Sequence, residues 1–432
     1  MFCSTNLNPE SIVEEKDTAQ PVLEETSYYL NEKNIPIKND LYHNELENCI
    51  NFLGSLHKVR CASPYSVIRT VKFESAAVNT FIDEDIVYTV LKKGEIYEYN
   101  LSTESKKLVY SNSNVLDLQE AGLLSLAINS SKDYFAVSYV TKDFQLVVDK
   151  YSFNNSLSNN DYVGRLFSQD VSKPYTHIAG NLIWSEYYNT FLLSIGDNQE
   201  ANEFSRINPA PLDTTTYLGK IIALENVELD VPRISKDASD SFNNIIGYGL
   251  RNPWQFFEFR NQLIVFDVGL SINEEMSISN LEDAPISYGW PIYEGGSLAA
   301  EIDGIDNYKI DINYFEGLKK LDNKTTLSKL TNESLKPKLF YSHYPTENDY
   351  RAAIIGGDIF EENSSEFNLN IVFADITTNE IFLYNLLNGD LLISPPIENI
   401  GAITTIKTIN NQSFNTVVTT YSGDLVFLKI EN

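Results

Sequence analysis

The chain has 432 residues, with 60 acidic against 32 basic side chains and a formal net charge of −28. That balance argues against a nucleic-acid partner and against an anionic membrane surface, and no apolar run reaches the roughly 18 residues needed to span a bilayer. Hydrophobic residues make up 43% and aromatics 12%, led by 26 Tyr and 23 Phe, so a large core built from strands is within reach.

Residues 1–60 differ from the rest. The first 27 are acidic and polar (Glu10, Glu14, Glu15, Asp17, Glu24, Glu25) without sustained periodicity, which reads as an extended arm. The start Met1-Phe2-Cys3-Ser4 lacks a basic and then apolar signal pattern, so no secretory signal is predicted and an intracellular or assembly-associated location is expected. Within residues 40–57, Leu41, Leu46, Ile50, Phe52, Leu53 and Leu56 have roughly helical spacing and predict one short amphipathic helix. Cys3, Cys49 and Cys61 are the three cysteines, too few for a disulfide framework. Cys49 and Cys61 either pair in an oxidising compartment or stay as free thiols. Usage rich in Asn, Ile, Lys and Tyr and poor in Arg fits an AT-rich coding sequence, such as that of a protist or a large DNA virus.

From about residue 61 the texture changes to short apolar runs separated by turn residues. Ile86–Leu91, a Lys92-Lys93-Gly94 turn and Glu95–Tyr99 predict a hairpin. Similar pairs follow at 135–140 with 144–148, 371–374 with 381–384, and 416–419 with 424–428. No strict repeat of WD40 or kelch type is present. The charged segment 296–335 predicts an inserted helix or long loop. The residues by themselves predict a large all-β domain over 61–432, propeller or sandwich.

An ordered series of short motifs narrows this. They are Gly122-Leu123-Leu124-Ser125-Leu126-Ala127, His177-Ile178-Ala179-Gly180, Ser194-Ile195-Gly196-Asp197, Gly219-Lys220, Gly249-Leu250-Arg251-Asn252-Pro253, Ser287-Tyr288-Gly289-Trp290-Pro291, and Tyr341-Ser342-His343 with Ile355-Gly356-Gly357. Together they resemble the glucose/sorbosone dehydrogenase family over roughly residues 75–430. The resemblance implies a six-bladed β-propeller. It further implies an oxidoreductase that uses pyrroloquinoline quinone (PQQ) and Ca²⁺ to oxidise a sugar C1 hydroxyl. The last motif is closer to the hedgehog-interacting-protein-like branch, which implies a non-catalytic module that binds protein or glycan.

Oxidation of a hydroxyl needs a base, and a neutral His is suited to that near pH 7. Of the four histidines, His43, His57, His177 and His343, the resemblance implies His177 as base, with Asp197, 20 residues later, orienting it. From the residues alone His177 could equally be an ordinary strand-end His. The resemblance implies Arg251 and Asn252 as quinone contacts, Arg251 stabilising charge on a reduced oxygen. It implies calcium on the backbone carbonyls of Gly269 and Leu270, where Leu replaces the family's Pro and the acidic pair Glu274 and Glu275 follows.

The departures point the other way. Leu250 stands where the family has His. Glu120 stands where it has Gln, which leaves the adjacent Gln119 as the candidate quinone contact. The stretches Asp375–Glu380 and Glu398–Ile403 lack the cations the family carries there. PQQ bears three carboxylates, and burying them without cationic partners is costly. Two functions therefore stay open: a quinone-dependent dehydrogenase acting on a small-molecule sugar, and a catalytically inactive propeller serving as a protein- or glycan-binding or structural module.

Overall fold

The computed structural model describes residues 59–61, 65–154, 156–158, 161–173, 175–198, 210–231, 242–270, 273–295, 297–298, 334–343, 350–361 and 369–430. The helix expected over 40–57 and most of the segment 296–335 lie outside the described residues.

Six small antiparallel sheets follow one another along the chain, and their innermost strands meet in a ring. The fold is a six-bladed β-propeller. Blade 1 holds Ala77–Asp83, Ile86–Leu91, Glu95–Asn100 and Ser105–Ser111. Blade 2 holds Leu123–Ile128, Tyr134–Val140, Gln145–Ser152 and Tyr162–Asp170. Blade 3 holds Ala179–Ser185, Thr190–Ile195, Lys220–Ala223 and Ile245–Tyr248, with Ile286–Ser287 added in parallel. Blade 4 holds Gln255–Phe259, Gln262–Asp267, Asn273–Asn280 and Leu339–Ser342. Blade 5 holds Ile354–Glu361, Leu369–Asp375, Ile381–Asn385 and Leu391–Ile393. Blade 6 takes Ile403–Thr408, Thr416–Thr420 and Asp424–Ile430 from the C-terminal end, and its outermost strand is Tyr65–Lys72. The four hairpins expected from alternating runs are all present.

The residue pattern follows from this stacking. An inner strand is covered by a neighbouring blade on each face, so Leu123–Ile128 and Thr190–Ile195 are buried at every position. Outermost strands face water and read differently. Tyr65–Lys72 and Tyr162–Asp170 are mostly exposed or half-buried. The buried apolar residues form six clusters, one in each seam between adjacent blades. The seam of blades 1 and 6 joins Val87, Leu91 and Tyr99 to Val417, Leu425 and Phe427, so apolar packing as well as strand pairing closes the ring. The boundary expected between residues 60 and 61 falls inside strand Val59–Cys61, which adds in parallel to the outer edge of blade 5.

Candidate functional site

In a four-stranded antiparallel blade, the start of the innermost strand and the end of the second lie at the same end of the axis. The loops at these points surround one cavity of about 540 Å³. Glu120 and His177 precede the innermost strands of blades 2 and 3. Arg251 and Asn252 lie on the link from blade 3 to blade 4, and Gly269 and Leu270 follow the second strand of blade 4. All of these residues line the cavity. Trp254, Ile355, Ile376, Ala402 and Tyr421 make much of the remaining wall apolar or aromatic.

His177 and Asp197 meet: His177 Nδ1 is 2.7 Å from Asp197 Oδ1. The other carboxylate oxygen accepts from Trp290 Nε1 at 3.0 Å, and Asp197 N donates to Arg251 O at 2.7 Å. The Ile-Gly-Asp motif has a steric reason. A Cβ on Gly196 would lie 1.9 Å from the His177 carbonyl oxygen, so only Gly lets the two chains approach. The other side of that approach is strained. Tyr175, His177 and Ala179 take positive φ angles of 64°, 51° and 54°, an arrangement that costs on the order of 1–3 kcal/mol per residue and gathers at functional sites. Gly249, with φ of 74°, would place a Cβ 2.8 Å from Gly289 N. The Arg-Asn-Pro and Tyr-Gly-Trp-Pro motifs are therefore packed against each other, and this contact brings Trp290 to Asp197.

Arg251 is buried and committed within the protein. Nη1 donates to the carbonyls of Val268 at 2.8 Å and Gly269 at 2.6 Å, and Nη2 is 3.1 Å from His177 Nε2. Its backbone N and that of Asn252 donate to Asp267, at 2.8 and 2.7 Å. Burial pushes the Asp267 carboxyl up to about 7, although these amides and the Arg251 charge pull it down. Asn252 Oδ1 is buried and has no hydrogen-bond partner among the described residues. Leu250, at the family's His position, is buried in the seam of blades 3 and 4, where an imidazole would have to be desolvated.

Gln119 is exposed, with φ of 52° turning the chain there, and the adjacent buried Glu120 lines the cavity. Lys220 of the Gly-Lys motif is fully buried and donates to the carbonyls of Ala210, Pro211 and Leu218 at 3.0, 2.8 and 2.6 Å, so it ties a loop together rather than facing the cavity. The stretches lacking the family's cations do reach the cavity. They contribute Ile376, Thr377, Gly401 and Ala402, all uncharged.

A second imidazole–carboxylate couple lies across the cavity and was not singled out from the sequence. His343 Nε2 is 2.6 Å from Glu274 Oε1. Glu274 also accepts from the backbone of Ala353 at 2.8 Å, Ile354 at 3.0 Å and Gly269 at 3.2 Å. Burial alone would raise the Glu274 carboxyl, but the His343 charge and these donors hold it below the usual range. In turn, Glu274 outweighs burial and holds His343 above the usual imidazole range. The two residues are 69 positions apart, and no local pattern links them. The only sequence signals were His343 in its Tyr-Ser-His motif and Glu274 in an acidic pair.

The fold and this cavity define a class, the six-bladed β-propellers with an axial cavity. The family model for glucose/sorbosone dehydrogenase matches residues 74–306, and the chain belongs to that family. Among solved structures, the PQQ-bound aldose sugar dehydrogenase of Streptomyces coelicolor is 13% identical, with a TM-score of 0.57 over 85% of this chain and 98% of that one. The soluble aldose sugar dehydrogenase of Escherichia coli, in its apo form, is 15% identical, with a TM-score of 0.58 over 85% and 99%. At these identities the likeness speaks for the fold. No curated protein sequence matches the chain.

Proposed function

We propose that the axial cavity binds a neutral, hydroxyl-rich ligand of the sugar class, and that the chain is a sugar- or glycan-binding member of its family. One observation carries this reading: Arg251, the only guanidinium or ammonium group lining the cavity among the described residues, is already engaged, with Nη1 donating to Val268 and Gly269 and Nη2 lying 3.1 Å from His177 Nε2. A trianionic quinone would have to lose its water beside Glu120 and Glu274, with three carboxylates set against one guanidinium that is already partly engaged. Calcium meets a related obstacle. The Gly269 carbonyl already accepts from a guanidinium at 2.6 Å, which places positive charge where the ion's own charge would lie. The residues present thus do not fit PQQ and Ca²⁺ in the manner the resemblance implies. A neutral sugar needs neither, and a mixed aromatic and hydrogen-bonding wall suits it.

The dehydrogenase reading keeps one specific support, the His177–Asp197 couple beside the cavity. In that reading Asp197 holds the imidazole and His177 Nε2 takes a hydroxyl proton once Arg251 moves off it. Calorimetric titration of the full chain with aldoses, and separately with PQQ in calcium buffer, tells the two apart, followed by a dye-reduction assay. Aldose binding without quinone binding is expected. Micromolar PQQ binding with turnover that His177→Ala abolishes would overturn the binding-module reading.

A further inference from the structure

The two imidazoles that line the cavity differ in what their ring nitrogens do. His177 has both engaged, Nδ1 with Asp197 and Nε2 with Arg251. His343 has only Nε2 engaged, with Glu274, and Nδ1 makes no hydrogen bond among the described residues. Glu274 receives three backbone amides besides the imidazole, on both of its oxygens. It is therefore held in place as an acceptor. A neutral His343 beside it must carry its proton on Nε2, which leaves the Nδ1 lone pair free.

We propose that His343 Nδ1, positioned by Glu274, is a hydrogen-bond acceptor that the cavity offers to a ligand hydroxyl. This rests on the reading of the cavity as a sugar-class site and deepens it. It also assigns the direct contact to the wall formed by blades 4 and 5, away from the residue that the family resemblance singles out. The contact is switched by protonation. Neutral His343 accepts the hydroxyl proton at Nδ1, whereas an imidazolium carries a proton there and donates to the hydroxyl oxygen instead, so protonation reverses the bond. The charged and titratable groups around it are Glu274 and Glu294, which favour the imidazolium, Arg251, which opposes it, and the Tyr350 ring, edge-on at 6.1 Å. Affinity for a hydroxylated ligand then changes with pH through the His343 titration.

Two measurements on the full chain test this. The first compares D-glucose affinity in the native chain and in His343→Gln between pH 6 and 9. Gln can keep a donor on Glu274 while removing the Nδ1 acceptor. We expect at least ten-fold weaker binding at pH 8 and loss of the pH dependence, and unchanged affinity would overturn the proposal. The second needs no ligand. Brief treatment with diethyl pyrocarbonate, mapped by mass spectrometry, should modify His343 well before His177, because the reagent needs an unengaged, unprotonated ring nitrogen. Faster modification of His177 would sink the assignment. If D-glucose binds neither form, the sugar-class reading fails, and the reagent result still decides the state of His343.

Discussion

Trp290 Nε1 donates to Asp197 Oδ2 at 3.0 Å, from a motif 93 residues further along the chain. Asp197 divides its two oxygens between an imidazole and an indole, and its own backbone N is held by Arg251. The carboxylate that orients His177 is thus itself oriented. Three separated motifs converge on it, and each contributes one contact that the other two cannot replace.

Trp290→Phe keeps most of the ring and removes the donor. Asp197 is fully buried, so its Oδ2 loses a partner that water cannot supply. We expect a stability loss of about 1–3 kcal/mol, read as an earlier guanidinium unfolding midpoint with an unchanged slope. A loss below about 0.5 kcal/mol would mean that the contact contributes little net energy.

Gly196→Ala forces a methyl toward a backbone oxygen that cannot rotate away. The His177 carbonyl would lie 1.9 Å from the new Cβ, so the 175–179 segment must shift. The expected loss is about 3 kcal/mol or more, at the upper end for overpacking. An unaltered thermal midpoint would show that the segment yields freely.

Burial pushes both Asp267 and Asp375 from an ordinary 3.8 up to about 7. Between those values the folded chain holds protons that the unfolded chain has released. Stability therefore falls as pH rises through that window. His343 acts in the same direction, since Glu274 raises it and its contribution is lost as pH climbs through the folded value. Asp267→Asn should make the slope of stability against pH shallower between about pH 4 and 7. Denaturant midpoints measured across that range check this, and an unchanged slope would count against the burial argument.

Arg351 and Glu380 are both fully buried and form two bonds, at 2.7 and 3.1 Å. Arg351→Met leaves a buried carboxylate without its cation, at an expected cost of about 3–5 kcal/mol. The double variant Arg351→Met, Glu380→Met should recover most of that loss. Failure to recover would show that the pair also fixes the loop between blades 4 and 5.

The blades were legible because their strands are apolar or alternating runs ended by turn residues, as Ile86–Leu91 and Glu95–Asn100 respectively illustrate. The number of blades was not, since six seams built from interchangeable Val, Ile, Leu and Phe leave no repeat to count. The resemblance supplied that number. His177, Asp197 and Arg251 could be named in advance because each sits in a motif with a steric or chemical signature, and the structure brings the three together. Gln119 and Glu120 could not be told apart from sequence, because a left-handed residue decides which of two neighbours turns inward. The His343–Glu274 couple was hidden for a different reason. Glu274 lies on the strand Asn273–Asn280 and His343 just past the end of its partner strand Leu339–Ser342, and the pair exists only once blade 4 has folded.

The pairing of Tyr65–Lys72 with Asp424–Ile430 also has a consequence for folding kinetics. This early strand cannot find its place until the last one has been made. During synthesis that early segment must wait while five and a half blades assemble, with its backbone hydrogen-bonding groups unmatched and Val67 and Ile68 available to wrong partners. Closing a loop of nearly the whole chain is slow compared with forming a hairpin. The final joining of the ends is therefore the step expected to limit the folding rate, and the point at which an incomplete ring can exchange strands with another copy of itself.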